Sequence, residues 1–295
     1  MNDTLKMDGE RFLPWMDDAV INYEHLHRYR FAKEFVKDKK VLDLACGVGY
    51  GSFMLAEDAE GVTGIDIDEV TIRHAFSRYA YIKENLKFIK GSVINVPLED
   101  KKIFDVIVCF EALEHINEHD KLMKETKRLL KETGIFIVST PNKLHSDLSN
   151  YKNPFHFKEL YLDEFRDLLS HNFKQVFLYG QKAYPSSNIF SFHKGSTASK
   201  NFAIEKGNKE FRFLPIEERI DRYLIGIASD ANLDLNKLIG SSCLIDISET
   251  LFYQMDNQIK QKDEQIEALL NSWSWKITTP LRWLHAKVMV RKSPK

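Results

Sequence analysis

The chain has 295 residues, 43% of them apolar and 29% charged, with a formal net charge of −1. That is enough apolar chain for one full α/β core with about a hundred residues to spare, and a charge so near zero makes no case for nucleic acid as a partner. Cys46, Cys109 and Cys243 are scattered and odd in number, which argues against a disulfide framework or a cysteine zinc site, so no metal is expected and the compartment should be reducing.

Met1 to Glu10 lacks an apolar signal core, and nowhere do roughly eighteen apolar residues run together. The expected location is cytoplasmic. Residues 1–36 precede the first predicted strand and contain Tyr23-Glu24-His25-Leu26-His27-Arg28-Tyr29-Arg30. This segment is too polar and aromatic for a plain core helix. It reads as a lid helix with His25 and Arg28 near one face and Tyr29 adjacent; the competing reading is a surface helix with solvated basic residues.

Val41-Leu42-Asp43-Leu44-Ala45-Cys46-Gly47-Val48-Gly49-Tyr50-Gly51 is an apolar strand pattern ending in alternating glycines. Such glycines let the chain turn sharply from strand to helix while its bare backbone approaches a ligand. A dinucleotide fingerprint would carry its third glycine one place later, where Ser52 stands. The next strand pattern, Gly61-Val62-Thr63-Gly64-Ile65-Asp66-Ile67-Asp68, ends in Asp66, 23 positions beyond Asp43. A carboxylate there accepts both hydroxyls of a ribose and repels a 2′-phosphate. Strand patterns follow in 86–93, 104–110 and 134–141, separated by helical stretches, and that alternation predicts a parallel sheet covered on both faces. Beyond them come Pro141-Asn142-Lys143-Leu144-His145 and Asn153-Pro154-Phe155-His156-Phe157-Lys158-Glu159, a helix around Leu162–Leu169 and a sixth strand over Phe173–Tyr179. Ligands of open α/β sheets sit outside the carboxyl ends of the strands, where these loops emerge. His156 is therefore either functional or a turn histidine that caps the next helix.

The G-x-G-x-G loop, with Asp43 four residues ahead of Gly47, resembles motif I of the class I S-adenosylmethionine (SAM) dependent methyltransferases. The five strand segments resemble that family's consecutive motifs over residues 36–180. The resemblance implies a Rossmann-like sheet with helices on both faces in a domain over 37–195, with SAM as cofactor. It implies cofactor contacts from Asp43, Ala45, Gly47 and Gly49 in the loop, Asp66 and Ile67 after the second strand, and Phe110 after the fourth. Ser92 departs from the acidic residue the family often carries after its third strand, so Ser92 and Val93 are the candidates for that contact. SAM brings a carboxylate that an Arg fork matches, which makes Arg28 its candidate partner. Tyr23, His25 and His145 are candidates for the acceptor side. The sulfonium is already a good leaving group, so the protein must mainly align the acceptor and, for a hydroxyl, supply a base. The candidates are His156 and His115; the latter ends Phe110-Glu111-Ala112-Leu113-Glu114-His115, similar to a family segment lining the methionine end of SAM.

The remaining chain reads as a linker and helical region over 196–245, opened by Ser196-Thr197-Ala198-Ser199-Lys200, then a coiled coil over 246–272 and a basic aromatic tail over 273–295. Leu238, Ile245, Phe252, Ile259, Ile266 and Trp273 recur every seven residues, with Met255 and Leu269 between them, while Ser248 and Lys262 break the seam. The competing reading is an amphipathic helix packed on its own domain. Lys276, Arg282, Lys287, Arg291, Lys292 and Lys295 give the tail +6 against −7 for the rest. With Trp273, Trp275 and Trp283 it suits an anionic bilayer surface or a partner groove, and a peripheral place at the inner membrane face. Gly9-Glu10-Arg11-Phe12 and the Tyr23–Tyr29 segment, joined to such a core and coil, look like the methyltransferases that modify or terminate bacterial O-antigen and related surface polysaccharides. The segment 272–282 is similar to tails of glycosyltransferases from the same pathways. The expectation is methylation of a sugar hydroxyl on such a glycan, in an enzyme that is a homo-oligomer or binds a partner protein such as a polymerase through its coil. The alternatives are an enzyme acting on a small molecule or lipid quinone, and a non-catalytic coiled-coil assembly protein that recruits a polymerase.

Overall fold

The computed structural model describes residue 13 and residues 19–150, 152–189, 200–206, 210–234, 238–279 and 282. Gly9-Glu10-Arg11-Phe12, the Ser196–Ser199 break and most of the basic tail, including Trp283, lie outside these residues. The chain divides into two units, Met1–Cys243 and Leu244–Lys295.

The first unit opens with α1 (Ala19–Lys33) and alternates β1 (Lys40–Leu44), α2 (Tyr50–Leu55), β2 (Gly61–Asp66), α3 (Glu69–Ala75) and β3 (Leu86–Lys90). It continues with β4 (Phe104–Phe110), α4 (His119–Leu129), β5 (Leu130–Pro141), α5 (Lys143–Ser149), α6 (Leu162–Ser170) and β6 (Gln175–Gln181). A hairpin of β7 (Ala203–Lys206) and β8 (Phe211–Leu214) precedes β9 (Tyr223–Ser229). The main sheet has the order β3-β2-β1-β4-β5-β9-β6. Strands β1 to β5 pair in parallel, and β9 runs antiparallel to both β5 and β6.

The apolar runs of the sequence become strands buried on both faces, because successive side chains point to opposite sides. Leu42, Leu44, Ile107, Cys109, Phe136 and Val138 join one hydrophobic layer. Val41, Val106, Val108, Phe110 and Ile137, from the same strands, join the other with Tyr29, Phe31 and Ala32 of α1. Helix α4 covers the first layer through Leu122, Met123 and Leu129, spaced for one helical face. The chain winds outward from β1 through β2 and β3, then returns to build β4 and β5 on the other side. The switch point, where doubly wound folds leave a crevice at the carboxyl ends, therefore lies between β1 and β4.

Three expectations need correction. The catalytic domain does not end at 195: all seven residues of β9 are buried, and β9 fills the gap between β5 and β6. The described residues of 196–245 contain no α-helix; they hold three strands and one short turn of 3₁₀-helix at Ile216–Glu218. The seven-residue seam is not continuous, since Leu238 and Ile245 lie outside any helix and the long helix α7 spans Thr250–Asn271. Ser272 ends α7 and accepts a hydrogen bond from the Trp275 amide at 3.2 Å, which starts the short α8 (Trp273–Ile277) and puts Trp273 in a separate helix. Within the second unit Ile259, Ile266 and Leu269 of α7 are exposed. Among the described residues no helix is long and apolar enough to cross a membrane.

Because β9 pairs with β5 over Phe136–Pro141 and with β6 over its whole length, a chain ended at Gly195 is expected to lose cooperative thermal unfolding. One ended at Cys243 should retain it. Circular dichroism melts of the two truncations test this, and a cooperative melt of the shorter chain would restore the earlier boundary.

Candidate functional site

The glycine loop leaves β1 through backbone angles that side chains rarely adopt. Ala45 has φ 60°, Gly47 φ 55° and Gly49 φ 84°. A Cβ on Gly49 would meet Ala75 Cβ and a Phe88 ring carbon at 2.7 Å, so this turn is packed tightly under α3. A Cβ on Gly47 would meet nothing within 4 Å; that side of the loop is open, and the backbone there is bare to a ligand. The loop is tied to the end of β2 by Asp66, whose carboxylate accepts from the Gly47 and Asp68 amides, each at 2.9 Å. Ile67 beside it is 70% exposed. Ser92 and Val93 are half-buried after β3, and Ser92 Oγ accepts from the Ile94 amide of its own turn at 3.4 Å.

Asp43 is placed differently from the expected ligand contact. Its carboxylate is wholly buried beneath the loop, accepting from Ser52 Oγ at 2.6 Å and from the Tyr29 hydroxyl at 3.2 and 3.3 Å. It acts as a positioning residue that joins α1, β1 and α2. The third glycine belongs to the same arrangement, because a Cβ on Gly51 would lie 2.0 Å from the Tyr29 ring. That ring packs edge-on against Tyr50 and Phe110, with centroids at 5.3 and 5.1 Å. Phe110 thus enters the site as packing behind α1. Burial pushes the Asp43 carboxyl up to about 7, with the nearby charge of Asp66 adding to the effect against its two hydroxyl donors.

Helix α1 is a wall of the domain and not a solvated surface helix. Arg28 is 1% exposed, with its guanidinium 4.4 Å over the Tyr223 ring. Nη1 donates to Gln181 Oε1 at 3.1 Å and lies 3.5 Å from Glu111 Oε1. Nε and Nη2 are buried without a hydrogen-bond partner. Gln181 ends β6, Tyr223 begins the antiparallel β9 and Glu111 follows β4, so the carboxyl edge of the sheet converges on one cation. Glu111 itself has φ 53°, strained backbone of the kind that persists where surroundings over-determine it. Glu24 anchors the same helix, accepting from the Ala183 amide at 3.1 Å and from Arg222 at 3.3 Å. Tyr23 and His25 are half-buried on α1, and His25 Nδ1 is 3.0 Å from the Tyr50 hydroxyl. Burial, then the charges of Arg28 and Arg222, hold the His25 imidazole well below its usual range, so it is neutral.

The two candidate catalytic histidines come together although 41 residues separate them in sequence. The loop at 153–159 is pinned to the turn after β4 by Phe157 and Lys158 amides donating to the Glu114 carbonyl at 2.8 and 3.2 Å. His115 Nδ1 donates to the Phe155 carbonyl at 3.1 Å, and the His115 and His156 rings meet edge to face with centroids 5.1 Å apart. His156 Nδ1 donates to Glu159 Oε1 at 2.6 Å, and Asn153 Nδ2 donates to its Nε2 at 3.0 Å. His145 is half-buried on α5; burial, then Lys182 and Arg222, lower its pKa while Glu159 opposes them, which places it in the field of the same group. The sequence did not single out Glu111, Gln181, Tyr223 or Glu159. Gln181 and Tyr223 carry no motif of their own, and their place follows only from β9 entering the sheet.

Residues 35–189, just over half of the chain, match a family model described as a methyltransferase domain. The chain belongs to the class I SAM-dependent methyltransferases. Over 170 residues it is 34% identical to a Mycolicibacterium smegmatis protein named "Probable S-adenosylmethionine-dependent methyltransferase", covering 56% of this chain and 63% of that one. Over 116 residues it is 35% identical to a ubiquinone biosynthesis O-methyltransferase of Pelagibacter ubique, covering 39% of this chain and 48% of that one. The chain thus spans less than two thirds of the length of these relatives. It is also similar to the solved PH0226 protein of Pyrococcus horikoshii, at 23% identity and a TM-score of 0.48 over 74% of this chain and 95% of that one.

The residues present fit the methyltransferase cofactor. Nε and Nη2 form one edge of a guanidinium, the pair of donors that a carboxylate engages two at a time, and in Arg28 both are buried and unpartnered. The open side of Gly47 and the carboxylate of Asp66 supply bare backbone and a hydroxyl acceptor next to each other. Asp43 gives a test of the frame beneath them. In the fold it titrates at about 7, against 3.8 for an unperturbed group. Its contribution to stability is therefore full below pH 4 and lost as pH rises to about 7, by on the order of 4 kcal/mol. Asp43→Asn, uncharged throughout, should gain on the parent by a few kcal/mol between pH 4 and 8 in urea denaturation. A difference that stays constant with pH would contradict the buried carboxyl.

Proposed function

We propose that the chain is an O-methyltransferase that carries the methyl of SAM to a sugar hydroxyl of a bacterial surface polysaccharide. The observation that carries the reaction type is the His115–His156 pair, held at the carboxyl edge of β4 next to the turn that bears Glu111, the partner of Arg28. SAM supplies an activated methyl, so the protein's part is to orient the acceptor and draw off its proton. Arg28 holds the carboxylate of SAM and Asp66 its ribose. His156, its Nδ1–H held by Glu159 at 2.6 Å, faces the acceptor hydroxyl and takes its proton as the methyl transfers. Tyr23, His25 and His145 border the acceptor. Arg28's two unpartnered donors favour this reading over a non-catalytic assembly protein.

The sugar acceptor is supported by the resemblance of the Tyr23–Tyr29 segment and of residues 272–282 to enzymes of surface polysaccharides. A second reading, the hydroxyl of a quinone-type small molecule, is favoured by the 35% identity to the Pelagibacter ubique enzyme. Transfer of labelled methyl to extracted polysaccharide but not to lipid extract would support the first reading, and the reverse outcome the second. We also propose that α7, with Ile259, Ile266 and Leu269 exposed, pairs with a second copy or a partner helix, and that the basic tail holds the enzyme at an anionic membrane surface. Light scattering and vesicle sedimentation of the full chain against one ended at Cys243 decide both points.

Two substitutions separate the two halves of the site. Arg28→Lys keeps the charge and loses the fork, and should weaken SAM binding about thirtyfold, or on the order of 2 kcal/mol, in calorimetric titration. His156→Ala should lower turnover by roughly a hundredfold with SAM affinity unchanged. Unchanged turnover in the second variant would return the role to His115 or to an acceptor that needs no base.

A further inference from the structure

We propose that Glu114, His115 and His156 bind a divalent transition cation, with coordination positions left open toward the acceptor oxygen. This rests on the reading that a hydroxyl acceptor reaches the histidine pair, and it deepens that reading.

One donor atom from each of the three residues lies within 4.8 Å of the other two. Donors bound at about 2.1 Å to one ion stand about 3 to 4.2 Å apart, so the group closes on a cation with a movement of roughly half an ångström. His115 Nε2 already faces Glu114 Oε1 at 3.8 Å. The tautomers are set for this use. Each imidazole directs its Nδ1–H outward, His115 to the Phe155 carbonyl at 3.1 Å and His156 to the Glu159 carboxylate at 2.6 Å. That assigns the lone pair to Nε2 in both rings, and outward bonds of this kind are what orient metal-binding histidines and raise their basicity. The Asn153 amide now donates to His156 Nε2 at 3.0 Å and would turn aside for the ion.

Glu114 makes the electrostatic case. Its side chain is 1% exposed and accepts from Thr140 Oγ1 at 3.1 Å. A buried carboxylate of this sort is relieved by a cation. Two imidazoles and one carboxylate suit Zn²⁺ or Mn²⁺ better than Mg²⁺ or Ca²⁺, which take oxygen ligands. Three protein ligands also leave positions for a bound hydroxyl, whose pKa the ion lowers. With the cation in place the imidazoles are ligands; the ion lowers the pKa of the bound hydroxyl, whose proton leaves to water, and the oxygen then takes the methyl while the sulfonium departs as the thioether.

The test uses the full chain, stripped with a chelator and desalted. It is titrated with Zn²⁺ by calorimetry and with Co²⁺ by visible absorption. The expected result is one equivalent of either ion, with affinity falling roughly tenfold to a hundredfold or more in His115→Ala, His156→Ala and Glu114→Gln and unchanged in His171→Ala, an exposed control at the carboxyl end of α6. Glu114→Gln keeps the shape of the buried side chain, and thermal melts show which variants fold. No uptake by the parent chain would overturn the proposal. So would an unchanged affinity and Co²⁺ spectrum in the His115→Ala/His156→Ala double variant, or undiminished methyl transfer by verified metal-free protein; the last would leave the hydroxyl acceptor in place with His156 as a simple base. Binding of one ion at these residues without transfer to any hydroxyl would uphold the cation site and remove the acceptor reading.

Discussion

A guanidinium shut away from water must be surrounded by groups that replace its hydration, or the fold loses several kcal/mol. Arg28 meets that condition only in part: Tyr223 stacks on its face, Gln181 and Glu111 approach Nη1, and the Nε–Nη2 edge has no protein partner. Burial works against its charge, while Glu111 and its aromatic and acidic neighbours hold it protonated. Tyr223, Gln181 and Glu111 stand at three different strand ends. The carboxyl edge of the sheet and helix α1 are therefore fixed with respect to one another by one side chain, and its unfilled edge is the seat proposed above for the cofactor carboxylate.

The second constraint lies one layer down. Asp43 could not stay buried without Ser52 and Tyr29, and Tyr29 could not lie over α2 if Gly51 carried a side chain. The third glycine of the loop thus serves helix packing, the first leaves room for ligand and the second closes the turn against Phe88. One short motif carries three different physical demands, which explains why its spacing identifies a fold and a cofactor together. With its carboxyl near 7, Asp43 changes charge close to neutrality inside the frame of the loop.

What the sequence made legible follows the range of the interactions. The loop, Asp66 and the first five strands are local patterns, and each appeared where its residues stood, with β5 beginning earlier than the 134–141 pattern at Leu130. Arg28 was legible as a cation in search of a carboxylate, but its burial was not, since α1 is polar in sequence and hides Glu24 and Arg28 by pairing them with Arg222, Gln181 and Tyr223. The run Tyr223-Leu224-Ile225-Gly226-Ile227-Ala228-Ser229 has the composition of a buried strand. The polar break before it hides this strand from a reading of local pattern, and with it Tyr223 and the domain boundary. In the carboxyl-terminal region the heptad count holds as arithmetic but runs across Gly240, which lies before α7 begins, and Ser272, where the backbone leaves that helix.

The two halves of the site are therefore built in different ways. The proposed cofactor residues sit on strand ends and a loop whose geometry the sheet dictates, so their placement varies little with the rest of the chain. The proposed acceptor side is assembled from the turn at 111–115, the loop at 153–159, α1 and the residues flanking β6 and β9, tied by hydrogen bonds between segments far apart in sequence. Each of those ties can change without disturbing the sheet. A fold arranged in this way keeps its methyl donor while altering what it methylates, and the 35% identity to a quinone-pathway enzyme over a third or so of this chain is compatible with a different acceptor for that reason. Acceptor choice in this chain should then be traced to His145, Lys182, Arg222 and the His115–His156 pair, whose mutual electrostatics no single segment determines.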